Sequence, residues 1–249
     1  MCTVAWGTET GRGLWVCFNR DEQRTRAPAE APRLYPGPAG PLGYARDPEG
    51  GGTWLAVTAR GFVVALLNQY ETETPVPDTG ARRSRGLLVR DLAKLPSAAV
   101  AEEHLRTEAL TAYAPFHLLI LSPGGGVKAD WDGGLLAVEE ARDGWLTTSS
   151  YRPLAIAEAR RKAWERFLGG DPKGGPEAVA RCLREKAADP AAGMLMDRED
   201  ARTVSQTEIR LGGGGFRITY RARAEGGEGF EAPIDLIYPG KETDYGPKG

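Results

Sequence analysis

The sequence contains very little histidine: His104 and His117 are its only imidazoles. They stand in unrelated segments, so a Ser-His-Asp or Cys-His scheme has few candidates for its base. Cysteine is also scarce, with 3 residues and no CxxC spacing. These absences argue against a zinc site or a disulfide framework, and we expect neither a metal nor a cofactor.

Charge and hydropathy are not concentrated in any one segment. The formal net charge is -2, and basic and acidic residues are mixed along the chain, which argues against a nucleic-acid partner. No apolar run approaches the ~20 residues of a membrane span, and the first residues lack the basic start and apolar core of a signal peptide. We therefore expect a cytoplasmic protein without a membrane span.

Glycine and proline are abundant, with 33 and 18 residues, and they predict many turns between short strands. Apolar, β-branched segments predict two early hairpins, TVAWGTE with GLWVCFNRDE and TWLAVT with FVVALLNQY, and further strands in the middle and at the end of the chain. The segment from Arg24 to Gly52 is rich in proline, glycine and charge, so we expect a long surface loop there.

Four helices are predicted among these strands. The apolar periodicity indicates one helix from Ser84 and another from Ser97. Two more are predicted in the segment that ends at Gly169 and in the one that begins at Pro176. No repeat or long linker marks a boundary, so we expect residues 1–249 to form a single α+β domain in which helices cover the sheets.

Cys2 directly follows the initiator methionine. Removal of Met1 would give Cys2 a thiol and a free α-amine, whose pKa is about 7.7–8.0. That amine could accept the thiol proton near neutral pH and so replace the histidine base. The alternative is a small buried residue of the first strand, which is the commoner role of a cysteine.

Polar residues end the second predicted strand at Asn19, Arg20, Asp21 and Glu22. If this strand pairs with the first, its end lies near Cys2. The Asp21 carboxylate could then hold the α-amine, and Arg20 could stabilise a thiolate or bind an anion of the substrate. The alternative is a solvated turn.

Later segments supply four further candidates. Asn68 ends an apolar strand, where its amide could donate to an oxyanion or cap a turn. The glycines before Trp54 allow close approach to a ligand, or form a turn. Arg85 lies in ARRSRG, which could bind phosphate or be solvated, and Arg202 could bind a carboxylate or lie at the surface.

The order of these motifs resembles one family. MC, NRDE, GGTWL, TARG, LLN and SRGLLV follow one another between Met1 and Val89, as in the NRDE family, also called the transport and Golgi organisation 2 family. That family looks like a branch of the N-terminal nucleophile hydrolases. The resemblance therefore implies a four-layer αββα sandwich with two stacked antiparallel sheets.

The nearest likeness within that superfamily is to the penicillin V acylase and bile salt hydrolase group, which uses an N-terminal cysteine to cleave non-peptide amides. The resemblance implies that the catalytic residues are Cys2, Asp21, Asn68 and Arg202. Substrate binding is expected from Asn19, Arg20, Trp54 and Arg85. Two positions depart from the hydrolase pattern: Phe18 stands in place of an arginine, and LTTSSY has hydroxyl residues in place of a second asparagine.

Three functions stay open at this point. The first is an N-terminal cysteine hydrolase or acyltransferase-like protein that acts on an amide or acyl bond of a small molecule. The second is a non-catalytic protein that binds and moves haem, acyl-CoA or lipid on the same scaffold, as has been proposed for relatives, although the sequence has no obvious histidine motif for haem. The third is a scaffold for protein interactions.

Overall fold

Two antiparallel sheets stacked face to face form the centre of the protein. The computed structural model describes residues 2–11, 13–70, 82–169, 174–226 and 229–240. Its strands are β1 Cys2–Glu9, β2 Gly13–Gln23, β3 Glu30–Tyr35, β4 Leu42–Arg46, β5 Leu55–Thr58, β6 Val63–Asn68, β7 Phe116–Ser122, β8 Gly125–Trp131, β9 Leu136–Glu140, β10 Gly144–Thr148, β11 Ala201–Gly212, β12 Gly215–Ala222 and β13 Ile234–Tyr238. Its α-helices are α1 Arg85–Ala93, α2 Ala98–Thr107, α3 Pro153–Leu168 and α4 Gly175–Cys182.

The sheets and helices form four layers. Sheet I has the strand order β10-β1-β2-β11-β12-β13, and sheet II has the order β3-β4-β5-β6-β7-β8-β9. Phe18 and Leu67 belong to the apolar layer between the sheets. Leu88 of α1 is buried on the outer face of sheet II, and Trp164 of α3 and Val179 of α4 are buried on the outer face of sheet I. This arrangement confirms the α+β sandwich of two stacked antiparallel sheets.

The first hairpin decides which side chains meet on each face of sheet I. β1 and β2 pair so that Cys2 lies opposite Arg20 and Thr3 lies opposite Asn19. Successive residues of a strand point to opposite faces. Cys2 and Arg20 therefore point into the space between the sheets, whereas Thr3 and Asn19 point towards α3 and α4, in agreement with the apolar layers that their neighbours enter.

Two glycines join the GGTWL and SRGLLV motifs. The Thr53 N–H donates to the Gly86 carbonyl oxygen at 3.1 Å. A Cβ on Gly52 would overlap the backbone of Gly86, and a Cβ on Gly86 would lie 2.9 Å from the Thr53 nitrogen. Only glycine permits this close backbone approach. The contact fixes the first turn of α1 against the segment that leads into β5.

The two hairpins, β1 with β2 and β5 with β6, are confirmed. The prediction of a long loop from Arg24 to Gly52 is wrong, because this segment contains β3 and β4. Pro32 is compatible with a strand there because β3 is an edge of sheet II and its pairing with β4 is irregular between Glu30 and Arg33. Tyr44 stacks on Tyr35 across the pair, with ring centroids 4.1 Å apart, and is buried.

All four predicted helices are present. The Ser97 side chain accepts a hydrogen bond from the Val100 N–H at the start of α2, and Gly169 ends α3 with φ of 65°, as a C-terminal glycine does. α4 is shorter than its apolar pattern suggests and ends at Cys182. In the described part of the chain, no helix is both long and apolar enough to span a membrane.

Candidate active site

A cavity of about 710 Å³ opens where β1 begins and where β2 and β6 end. Its walls come from both sheets and from the first turn of α1. Among its lining residues are Cys2, Arg20, Trp54, Asn68, Tyr70 and Arg85. Six of the eight predicted site residues, Asp21 among them, thus lie at one cavity, and Asn19 and Arg202 are not among its described lining residues. The role of each residue in it stays a prediction.

The surroundings of Cys2 disfavour the thiolate form of its side chain. Cys2 is buried, with 8% of its surface exposed. Burial raises the pKa of its thiol, and the negative charge of Asp21 acts in the same direction, against a hydrogen bond from the Asp21 backbone N–H and the positive charge of Arg20. Because the thiolate is the nucleophile, this cysteine needs an adjacent base before it can attack a carbonyl.

Arg20 lies directly opposite Cys2 in the β1–β2 pair and is buried with it. Its Nη2 lies 3.2 Å from the Glu22 carboxylate and 3.8 Å from the Asp47 carboxylate. Its guanidinium carbon lies 4.3 Å from the ring centroid of Trp54, a cation–π contact. The strand register therefore places a fixed arginine beside Cys2, although position 18 is a phenylalanine.

Asp47 anchors this wall of the cavity as a carboxylate. Burial alone would raise its pKa, but hydrogen bonds from Arg26 and from the backbone N–H of Gly50, together with the charge of Arg20, hold the pKa below its usual value. The Arg26 Nη2 lies 2.6 Å from the carboxylate. Asp47 therefore stays ionised and orients both arginines.

Asp21 lines the cavity, but its side chain points away, into the layer between sheet I and α3, so its carboxylate does not lie where it was expected to hold the Cys2 α-amine. Its Oδ1 accepts a hydrogen bond from the Thr203 hydroxyl at 2.6 Å, and its Oδ2 lies 3.2 Å from the Arg160 Nη2. Arg160 also donates to the hydroxyls of Thr3 at 3.0 Å and Thr147 at 2.8 Å. This enclosed polar cluster contacts the beginning of β1 through Thr3, on the α3 side of sheet I. The contact of Asp21 with the Cys2 sulfur is made by its backbone N–H.

Sequence reasoning missed Arg160 and Thr203. A signal for Arg160 is present, because Ile156, Arg160 and Trp164 follow one another at four-residue spacing and are the buried residues of α3. A charged residue in a buried helical stripe requires a buried partner. Thr203 gives no comparable signal, since threonine is common in strands on either face.

The expected substrate-binding role of Asn19 does not fit its position. Its Nδ2 donates to the carbonyl oxygens of Leu183 at 2.6 Å and Met194 at 3.0 Å, on the helical side of sheet I. The strand alternation that brings Arg20 to Cys2 necessarily turns Asn19 away. Asn19 therefore fixes the segment after α4 rather than the cavity.

Arg202 is not among the residues that line the cavity. It pairs in register with Glu22, and its Nη1 lies 3.5 Å from the Ala224 carbonyl oxygen. Its neighbour Thr203 makes the contact with Asp21 instead. The expectation of an arginine at the reacting centre from this strand does not fit this placement.

The two threonines of LTTSSY point to opposite faces of sheet I. Thr147 joins the Arg160 cluster below the sheet. Thr148 lies directly opposite Cys2 across the β1–β10 pair and is buried, and its hydroxyl has no hydrogen-bond partner among the described residues. The position expected for a second asparagine thus places a hydroxyl on the same sheet face as Cys2.

Asn68 approaches the cavity from the other sheet, at the end of β6. It is half-buried, and its Nδ2 donates to the Tyr70 hydroxyl at 3.1 Å. An amide nitrogen carries two hydrogens, so a second donor is available in the cavity. The prediction that Asn68 stands at a strand end is confirmed.

Arg85 is the first residue of α1. Its Nη1 donates to the Pro115 carbonyl oxygen at 2.7 Å. Burial lowers the pKa of its guanidinium, against the effect of nearby negative charge, to which Tyr70 and Cys2 contribute. Arg85 is therefore a second cation within electrostatic reach of the Cys2 sulfur.

Comparison with known proteins identifies the family. The sequence profile of the transport and Golgi organisation 2 family matches residues 1–130, which contain β1 to β7, all but the last residue of β8, α1, α2 and every described residue of the cavity. The chain belongs to the transport and Golgi organisation 2 family. No curated protein matches it in sequence.

This member of the transport and Golgi organisation 2 family is similar in fold to N-terminal nucleophile hydrolases. The Caenorhabditis elegans orthologue of N-acylethanolamine-hydrolysing acid amidase matches with a TM-score of 0.57 and 8% identity over 84% of this chain and 92% of that one. A mutant of the conjugated bile acid hydrolase from Clostridium perfringens matches with a TM-score of 0.51 and 12% identity over 96% of each chain. At these identities the likeness concerns the fold.

The motifs that mark the family in this chain form the walls of the cavity. NRDE supplies Arg20 and Glu22 from β2, GGTWL supplies Trp54, and SRGLLV supplies Arg85. The Gly52–Gly86 contact holds the last two together. In this member of the transport and Golgi organisation 2 family, motifs far apart in sequence therefore enclose Cys2.

Proposed function

We propose that this protein is an N-terminal cysteine hydrolase or acyltransferase that acts on an amide or acyl bond of a small molecule. Cys2 is its nucleophile after removal of Met1. The observation that carries the proposal is the burial of Cys2 at the cavity wall, with Arg20 directly opposite it and Asn68 reaching the same cavity from the other sheet. The similarity in fold to an acid amidase orthologue and to a conjugated bile acid hydrolase supports the proposal.

The reaction begins with attack of the Cys2 sulfur on the substrate carbonyl carbon. The thiol proton passes to the α-amine of Cys2, whose pKa of about 7.7–8.0 suits a base near neutral pH. The S–C bond forms, and the carbonyl oxygen becomes an oxyanion that the free N–H of Asn68 stabilises. The C–N bond then breaks, and the departing amine takes the proton from the Cys2 ammonium group.

Water completes the cycle. It adds to the thioester while the α-amine takes one of its protons, and the tetrahedral intermediate expels the Cys2 sulfur. The products are a carboxylic acid and the regenerated thiol. Another nucleophile in place of water gives acyl transfer by the same steps. The raised pKa of the Cys2 thiol makes the adjacent amine necessary.

Transport of haem, acyl-CoA or lipid without catalysis is the competing function. The cavity favours it in one respect, because several arginines line its walls and suit the anionic groups of such ligands. Neither histidine lies among the described lining residues, since His117 contacts Asp130 and His104 contacts Glu108. Haem would then depend on Cys2 or Tyr70 for an iron ligand.

Turnover of a panel of acyl amides by wild type, Cys2→Ala and Cys17→Ala tests the proposal. Cys17 lies in the same hairpin, but its side chain packs against α4 on the opposite face of sheet I. We expect hydrolysis by wild type and Cys17→Ala and none by Cys2→Ala. Turnover that survives Cys2→Ala would exclude Cys2 as the nucleophile. Saturable haem binding without any turnover would favour transport without catalysis.

A further inference from the structure

The arginines of the cavity differ in how their charge is balanced. Arg20 pairs with Glu22, Arg26 pairs with Asp47, and Arg83 pairs with Asp91. Arg85 has no carboxylate within ion-pair distance among the residues that the structure describes. Its one described hydrogen bond goes to a backbone carbonyl, that of Pro115.

The place of Arg85 in the cavity wall makes the lack of a described counter-charge important. Arg85 is half-buried in the cavity wall, and withdrawal of a guanidinium from water without a counter-charge is unfavourable. Glu22 acts on Arg85 only from beyond ion-pair distance, and the nearby Arg82 adds further positive charge. An anion brought by a ligand would supply the missing counter-charge.

The described residues of the opposite wall of the cavity do not offer an arginine that could bind an anion in the same way. The carboxylates of Glu22, Asp47 and Glu49 all contact Arg26 or Arg20 there. An anionic ligand therefore meets carboxylates on that wall and, at the start of α1, a guanidinium that no carboxylate of the described residues pairs with. The two walls together would orient a substrate with its anionic group towards Arg85.

We propose that Arg85 binds an oxyanion, a carboxylate or a phosphate, on the substrate of the Cys2 site, so that the protein selects anionic over neutral substrates. This inference rests on the proposed function insofar as the bound anion is part of a substrate on which Cys2 acts. The anion site itself can be tested without turnover. The competing role of Arg85 is to stabilise the Cys2 thiolate, which would affect anionic and neutral reagents alike.

Alkylation of Cys2 by iodoacetate and by iodoacetamide separates these roles. The two reagents are similar in size and differ in charge, and in both the sulfur forms an S–C bond as iodide leaves. The rate at Cys2, measured by peptide mass spectrometry, is divided for each reagent by its rate with a small free thiol. The variants are Arg85→Gln, Arg85→Lys and Arg106→Gln, the last removing an exposed arginine of α2 that pairs with Glu102.

In wild type we expect the normalised rate with iodoacetate to exceed that with iodoacetamide by about tenfold, the effect of one charge-assisted hydrogen bond. Arg85→Gln should abolish this preference, Arg85→Lys should retain part of it, and Arg106→Gln should leave it unchanged. An equal loss of both rates in Arg85→Gln assigns Arg85 to the thiolate and overturns the inference, as does an unchanged preference.

Competition in the wild-type protein keeps the inference testable if Arg85→Gln does not fold. Inorganic phosphate and acetate, each compared with chloride at equal ionic strength, should slow the reaction of Cys2 with iodoacetate. The more effective anion identifies phosphate or carboxylate as the preferred group, and no protection by either overturns the inference. Amide turnover without charge preference refutes this inference alone, whereas charge preference without turnover refutes only the hydrolase.

Discussion

Arg160 and Asp21 form an ion pair that is enclosed between sheet I and α3, with the Nη2 and Oδ2 atoms 3.2 Å apart and the side chains 1% and 0% exposed. Hydroxyls of Thr3, Thr147 and Thr203 complete the cluster. The pair connects α3 with the ends of β1, β2, β10 and β11. It therefore fixes the backbone of the strand that carries the proposed nucleophile.

Removal of one member of this pair should destabilise the fold strongly. Arg160→Met leaves the Asp21 carboxylate buried without its counter-charge, which we expect to lower the free energy of unfolding by about 3–5 kcal/mol. Asp21→Asn combined with Arg160→Met should lose less, because no charge stays buried. Arg161→Met, on the exposed side of the same helix, is the control and should change little. Denaturant unfolding measures all three, and a wild-type midpoint for Arg160→Met would contradict the account.

Asp47 should make stability depend on pH in the acid range. Its pKa in the folded protein lies below the usual value, so its stabilising effect is complete above the unfolded pKa of about 3.9 and is lost as the pH falls through the folded pKa. The difference in unfolding free energy between wild type and Asp47→Asn should be constant near pH 7 and shrink below about pH 4. A difference that grows on acidification would reverse the sign and refute this assignment.

Asn68 should matter for rate rather than for stability. Loss of one oxyanion donor costs about 10²–10³ in kcat, whereas the described hydrogen bond of its Nδ2, to the Tyr70 hydroxyl, lies at the surface. We therefore expect kcat of Asn68→Ala to fall by that factor with an almost unchanged Tm. Asn68→Asp should be slower still, because its charge opposes the oxyanion. Wild-type kcat in Asn68→Ala would exclude Asn68 as the donor.

The contact between Gly52 and Gly86 should be sensitive to a single methyl group. Gly52→Ala places a Cβ against the Gly86 backbone, and we expect this overpacking to cost about 1–3 kcal/mol and to displace the first turn of α1. Gly124→Ala is the control, since a Cβ there meets nothing within 4 Å. Thermal unfolding compares the two, and equal Tm values would show that the contact is not constrained.

The sequence predicted the elements whose local pattern is strong. Two segments rich in Val, Trp and Phe indicated the hairpin of β1 and β2, whose pairing would bring the polar end of β2 near Cys2, and the structure confirms the pairing. The segment with β3 and β4 was interpreted as a loop because Pro32 and several glycines obscure its pattern. Pro32 is tolerated because β3 is an edge strand whose register with β4 is irregular between Glu30 and Arg33, and both are properties of the assembled sheet.

The site was predictable for side chains that point into the cavity from strand ends. Arg160 could not be connected with Asp21 from the sequence alone, because 139 residues separate them and only the packing of α3 on sheet I brings them together. The orientation of Asn19 and Arg20 depended on the register of the hairpin, since a shift by one residue exchanges their faces. Periodicity does not determine that register.

The most direct test of the central claim is the intact mass of the protein after reaction with an electrophilic acyl probe. The account predicts a chain without Met1 that gains one acyl group, located at Cys2 by peptide mapping, and that loses it again to water. It predicts no adduct in Cys2→Ala. Active protein that retains Met1, or an adduct at Cys17 or Cys182 with Cys2 unmodified, would contradict it.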